Sequence, residues 1–207
     1  MRFDNESMPP QADLQVISGR LERGEIDSTV YLQQLTRFVA VQIGCSRAGV
    51  RVFIDTPQGR VLRCVAMYDA ALEGMVGASD MHHADRGPYF ERLLHDGCVS
   101  ASNARTDPVT AGLLEDYLLP ANVSSLMDMC FSVNGVLFGT FSCEQLGLPC
   151  QWSQRQMQTL RKIASRASLS LMHAVSNGID TAPGALWESS TPNRLATKPM
   201  PLELRPK

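Results

Sequence analysis

Three groups of side chains in this 207-residue sequence could do chemistry: thiols, imidazoles near carboxylates, and aromatics with polar neighbours. The six cysteines (Cys45, Cys64, Cys98, Cys130, Cys143 and Cys150) include no Cys-x-x-Cys pair. Thiol catalysis needs a thiolate, which a nearby cation favours, and neither Cys98 nor Cys130 has a cationic neighbour in sequence. Reduced, partly buried cysteines are expected. His82-His83 with Asp80 and Asp85 has a spacing that could hold a metal, but no cysteine or third histidine is placed to complete four ligands. No metal is expected there, and His95 and His173 read as surface residues on helices. No phosphate-binding glycine loop is present. The third group is Tyr68, Phe90, Tyr117, Asp128, Cys130, Phe141 and Cys143. Aromatic faces with a few polar groups suit a small organic ligand. Tyr68, Phe90 and Phe141 suit a plain core equally well, and the sequence leaves both readings open.

Periodicity and caps define the elements that must position these residues. Leu14, Ile17 and Leu21 predict a short helix broken at Gly24. Asp27 caps a second, striped by Leu32, Leu35, Val39 and Ile43 and closed by Gly44. Val50, Val52 and Ile54 alternate with Arg51, Phe53 and Asp55 as a strand. The turn Thr56-Pro57-Gln58-Gly59 leads from it to a second strand, Val61–Tyr68. A helix opening at Gly87-Pro88 carries Phe90, Leu93 and Leu94 to Gly97, and a brief strand, Cys98–Ser100, follows. Asp107 with Pro108 starts a further helix through Leu114 and Tyr117 to Pro120.

Asn134-Gly135 between alternating apolar runs predicts a type I′ hairpin joining Ser125–Val133 to Val136–Gln145. With strict alternation, one face carries Met127, Met129, Phe131, Val133, Val136, Phe138 and Thr140 and reads as core against helices. The other carries Leu126, Asp128, Cys130, Ser132, Leu137, Phe141, Cys143 and Gln145 and reads as a cavity wall. Cys130 and Cys143 would then share a face about 13 Å apart at 3.4 Å per residue, beyond disulfide reach. Ser153 and Gln156 form a capping box for the last helix. Its Met157, Leu160, Ala164, Ala167, Leu171 and Ala174 stripe fits either a core-facing helix or a helix pair in a dimer.

Composition sets the outer limits. A net charge of −2 argues against bulk electrostatic attachment to nucleic acid or an anionic membrane. No run approaches eighteen apolar residues, and the polar start lacks a signal core, so a cytoplasmic protein is expected. Residues 1–10, with Pro9-Pro10, read as a flexible start. The proline-rich stretch 177–207, with its lone Trp187, reads as a disordered tail. One domain over 11–176 is left.

Helix, two strands, an irregular middle, a hairpin and a final helix make an α+β plan with an antiparallel sheet. Several ordered segments resemble the GAF domains of bacterial signalling proteins. They are Pro88-Tyr89-Phe90-Glu91-Arg92-Leu93-Leu94, Ala101-Ser102-Asn103-Ala104-Arg105-Thr106-Asp107-Pro108, Asp116-Tyr117-Leu118-Leu119-Pro120 through Asp128, and Gly135–Gln145 followed by Gln151-Trp152-Ser153. The resemblance covers roughly residues 20–175. It implies terminal helices on one sheet face and, on the other, short helices and loops over a small-molecule pocket, with Arg105 and Asp107 in the pocket-side loop.

Such domains usually precede a histidine kinase or diguanylate cyclase. Here no room is left for an output module, so a free-standing sensory module is implied, dimeric through its terminal helices and signalling to such a partner. Cys130 stands where the family commonly has proline, and Gln145 where it has histidine after Glu144. The ligands of relatives are therefore not carried over.

Asp128-x-Cys130-Phe131 matches a short pattern of bilin-attaching GAF photoreceptors, but the Cys-His pair that ordinarily holds the chromophore is missing. Neither bilin nor haem is expected. The cyclic-nucleotide signature Asn-Lys-x-Asp-Glu is missing too. Two alternatives stand beside the sensor. One is a thiol-dependent reductase of the free methionine-(R)-sulfoxide type, using Cys98 and Cys130. The other is a degenerate GAF scaffold with a filled pocket.

Overall fold

A computed structural model describes residues 13–176, apart from Gln58, 83–86, Asn134 and the side chains of 173–176. The expected flexible start, the expected tail, His83, Asp85 and the side chains of His173 and Ala174 lie outside the described residues. In chain order the elements are α1 (Leu14–Glu22), α2 (Ser28–Ile43), β1 (Arg47–Thr56), β2 (Gly59–Asp69), β3 (Gly74–Met75), β4 (Met81–His82), α3 (Gly87–Asp96) and β5 (Cys98–Ala101). A 3₁₀ segment (Pro108–Leu113), a π-helical turn (Leu114–Leu118), β6 (Val123–Val133), β7 (Val136–Leu146) and α4 (Gln154–Ser176) complete the chain.

The strands form one antiparallel sheet in the order β3-β2-β1-β7-β6-β5, with β4 also on β2. The fold is α+β, as the sequence predicts.

Local signals set the helix ends. Asp27 accepts from the Val30 amide at 2.8 Å, a cap that contributes about 1 kcal/mol. Gly44 closes α2 at φ +70°, where a side chain would strain the left-handed turn. At α4, Ser153 and Gln156 bond reciprocally (Ser153 N to Gln156 Oε1 2.9 Å, Gln156 N to Ser153 Oγ 3.2 Å). Gln156 Nε2 also donates to the Ile43 carbonyl at 2.8 Å, tying α4 to the end of α2.

Two cores lie on opposite sides of the sheet. Helices α1, α2 and α4 cover one face with Leu21, Tyr31, Leu35, Val39, Leu160, Ala164 and Leu171. The α4 stripe from Leu160 to Leu171 is thus buried within its own chain. On the other face α3, the 3₁₀ segment and the π turn bring in Tyr89, Phe90, Leu93, Leu113, Tyr117 and Leu118.

The hairpin corrects the predicted face assignment. Val133 pairs with Val136 and Ser132 with Leu137, so the two-residue loop holds, but Phe131 pairs with Gly139. Phe138 is therefore an extra residue, a β-bulge, and from there every β7 side chain changes sides. Phe141 and Cys143 point into the helix-side core, not the cavity face. Thr140, Ser142 and Glu144 take the opposite side, facing Cys130, Asp128 and Leu126 on β6. Cys130 and Cys143 consequently do not share a face. A further difference lies at 108–118. The predicted helix is there, capped by Asp107 through the Val109 amide at 2.8 Å, but it is 3₁₀ followed by π.

Candidate functional site

Arg51, Asp128 and Glu144 stand on adjoining central strands, turned to the same side of the sheet, at 0%, 0% and 1% exposure. Ionised groups this deep demand partners. Arg51 donates through Nη1 to the Ser79 carbonyl at 2.7 Å and through Nη2 to the Tyr117 hydroxyl at 2.6 Å. Its guanidinium carbon is 5.0 Å from the Tyr117 ring centroid, within cation–π range. The Tyr117 hydroxyl in turn donates to Glu144 Oε1. Beside this relay, Tyr89 donates its hydroxyl to Asp128 Oδ2, and Asp128 faces Ser142 across the ladder.

Backbone geometry explains how the groups converge. In the π turn the Leu119 amide bonds the Leu114 carbonyl at 2.9 Å, five residues back. This wider turn buries Tyr117 and leaves Asp116 exposed. Gly139 lets β7 close on β1, since a Cβ there would overlap the Arg51 carbonyl oxygen.

The electrostatics follow from burial. Desolvation lifts the Asp128 carboxyl to about 6, although the Ser142 hydroxyl, the Tyr89 bond and Arg51 offset part of the rise. Glu144 is raised for the same first cause, with Arg51 and Tyr117 opposing. Burial also opposes the Arg51 charge, but Tyr117, Cys64 and Glu144 outweigh it and the cation persists. Three buried atoms of the cluster have no hydrogen-bond partner, Arg51 Nε, Thr140 Oγ1 and Glu144 Oε2, while Ser142 Oγ lies against the Asp128 carboxyl. Native interiors leave few such groups.

A cavity of about 680 Å³ lies beside the relay. Tyr117 and Glu144 belong to its lining, with Arg47, Met67 and Leu146 from the sheet, Gly77–Ser79 from the strap after β3, and Asp116 and Pro120–Asn122 from the turn region. That volume suits a small organic molecule.

Of the predicted site residues, Tyr117 lines the cavity and Asp128 sits in the buried cluster. Phe90 packs near Tyr89 (5.5 Å between centroids) and Phe53 (6.5 Å) in the core on this side of the sheet. Cys130 points to this side of the sheet too, with its thiol donating to the Leu93 carbonyl at 3.4 Å; burial pushes that thiol up to about 12. Arg105 clamps the chain, donating to the Val123 carbonyl at 2.9 Å and to Asn122 Oδ1 at 2.7 Å, and Asp107 is the cap already described. Tyr68, Phe141 and Cys143 belong to the helix-side core.

Sequence reasoning missed Arg51, Glu144 and Tyr89. The available signal was charge inside apolar strands: Arg51 stands between Val50 and Val52, and Glu144 follows Cys143. Asp80 of the supposed histidine cluster is engaged by Arg63 Nε at 2.9 Å.

No protein-family model and no curated protein matches the sequence. Solved structures do match the fold. The phycoerythrobilin-bound GAF domain of a cyanobacterial phytochrome superposes with a TM-score of 0.62 at 16% identity, over 80% of this chain and 95% of that one. The PixJ GAF domain of Thermosynechococcus elongatus, in its blue-light absorbing form, gives 0.57 at 20% identity, over 77% and 93%. The GAF domain of an Acinetobacter phosphoenolpyruvate-protein phosphotransferase gives 0.59 at 13%, over 79% and 92%. The chain has the GAF fold. No helix among the described residues is long and apolar enough to cross a membrane.

Proposed function

We propose that this chain is a sensory GAF module that binds a small molecule in the cavity beside Tyr117 and Glu144. It then signals to a separate partner such as a histidine kinase or diguanylate cyclase. The observation that carries this reading is the Arg51–Tyr117–Glu144 relay with its unpartnered buried polar atoms at the edge of a cavity of mixed polar and apolar lining. Burying that cluster costs several kcal/mol per ion unless something completes it, and a bound ligand would. The likeness to a phycoerythrobilin-bound GAF domain is consistent with a binding role for this fold.

The sensory unit is residues 11–176 of a cytoplasmic homodimer, and ligand binding acts by shifting conformational populations. Covalent chromophore attachment and the reductase alternative draw little support from the thiols. Cys98 packs with the helix-side core and Cys130 with the opposite one.

Thermal shift across nucleotides, amino acids, amines and aromatics tests the reading, with Ala121→Trp as a cavity-blocking control. A class that raises the melting temperature of the native protein but not of the blocked variant supports it. No shift with any class overturns it in favour of a scaffold. Light scattering at tens of micromolar tests the dimer, which a monomer mass would refute.

A further inference from the structure

Resting on the pocket reading above, we propose that the cavity takes a small organic cation, an ammonium or guanidinium head on a short aliphatic body. The head would be received by Glu144. Three observations converge on this chemistry.

The first is the open acceptor. Glu144 is 1% exposed and belongs to the cavity lining. Its Oε1 is taken by the Tyr117 hydroxyl, whereas its Oε2 has no partner. In its ionised form this oxygen accepts and does not donate, so a group that completes it brings N–H or O–H donors. A charged donor makes the stronger bond.

The second is charge. Among the described residues, the cavity lining and the cluster beside it contain two cations, Arg47 and Arg51, and three carboxylates, Asp116, Asp128 and Glu144. Arg47 is committed to Asp69 at 2.6 Å, and Arg51 spends both terminal nitrogens on Ser79 and Tyr117. Arg51 thus has no terminal nitrogen left for an anionic ligand, and a low-dielectric site with surplus negative charge favours a cation.

The third is shape. Met67, Ala78, Pro120, Ala121 and Leu146 make part of the wall apolar and suited to methylenes, and Asp116 lines the same cavity. A cavity of about 680 Å³ is far larger than a bare metal ion needs.

The test uses agmatine, with a guanidinium and an ammonium on four carbons, against neutral 1,4-butanediol and anionic adipate. Binding to the full chain is read by calorimetry and thermal shift. Agmatine is expected to bind saturably, the other two not to bind, and Glu144→Gln to weaken agmatine at least tenfold. If Glu144→Gln does not fold, Asp116→Asn and a rise in ionic strength serve instead, each expected to weaken agmatine several-fold.

Agmatine binding unchanged by Glu144→Gln, or persisting in Ala121→Trp, would overturn the assignment. Butanediol or adipate binding that Ala121→Trp abolishes would overturn the cation while leaving the pocket standing. Failure of all three probes overturns the cation, and the pocket itself is then decided by the wider ligand panel.

Discussion

Replacing Asp128 by Asn isolates the electrostatic cost of the buried cluster. The carboxyl rises from 3.8 to about 6 on folding. That is about two units, and at about 1.36 kcal/mol per unit the ionised group costs the native state about 3 kcal/mol at neutral pH. The sign follows from proton counting. Between pH 3.8 and about 6 the folded protein holds a proton that the unfolded chain has released, so stability falls as pH rises through this window. Below the window both states are protonated and the penalty vanishes. Asn keeps the side-chain shape, still accepts from Tyr89 and cannot ionise. Urea unfolding at pH 4, 5, 6 and 7 should therefore show Asp128→Asn gaining on the native protein by about 2 kcal/mol across the range. Glu144, also raised by burial, contributes its slope to both proteins and largely cancels in the difference. A constant gap from pH 4 to 7 would refute the reasoning, because Asp128 would then titrate near its ordinary value.

Three further outcomes follow from the same geometry. Tyr117→Phe deletes the hydroxyl shared by Arg51 and Glu144 and should cost about 1–3 kcal/mol in denaturant unfolding without changing the circular dichroism spectrum; no loss of stability would dissolve the relay. Gly139→Ala places a Cβ on backbone and should destabilise by several kcal/mol, if it folds at all. Gly49→Ala meets the flexible thioether end of Met67 at 2.7 Å and the Ala66 carbonyl oxygen at 3.0 Å and should cost less, so the reverse order in melting temperature contradicts the close approach. Native-state alkylation at pH 8 should leave Cys130 and Cys143 slow, since burial raises both thiols; rapid labelling of either would reopen thiol chemistry.

Much of the framework was legible because its signals are local. Asp27 and Gly44 bracket α2, Ser153 with Gln156 opens α4, and the Asn134-Gly135 pair fixes a two-residue loop. The site was less legible because it depends on register. The bulge at Phe138 leaves no trace in an alternating sequence, yet it exchanges Phe141 and Cys143 for Ser142 and Glu144 on the cavity side. In the sequence Arg51 is one half of an alternation. Strand periodicity says which residues share a face, not that a face will be roofed by α3 and a π turn. Asp128 and Tyr117 were found because an acid in an apolar strand and an aromatic in a polar segment stand out by type alone.

The Arg51 guanidinium holds two walls at once, the strap through Ser79 and the π turn through Tyr117. Neither wall can swing out without losing a bond to the same buried cation, worth about 1.5–3 kcal/mol each. Entry and exit of any occupant should then be governed by one latch rather than by two independent loops. The exchange rate would show a single activation step, and substitution at position 51 would speed arrival and departure together.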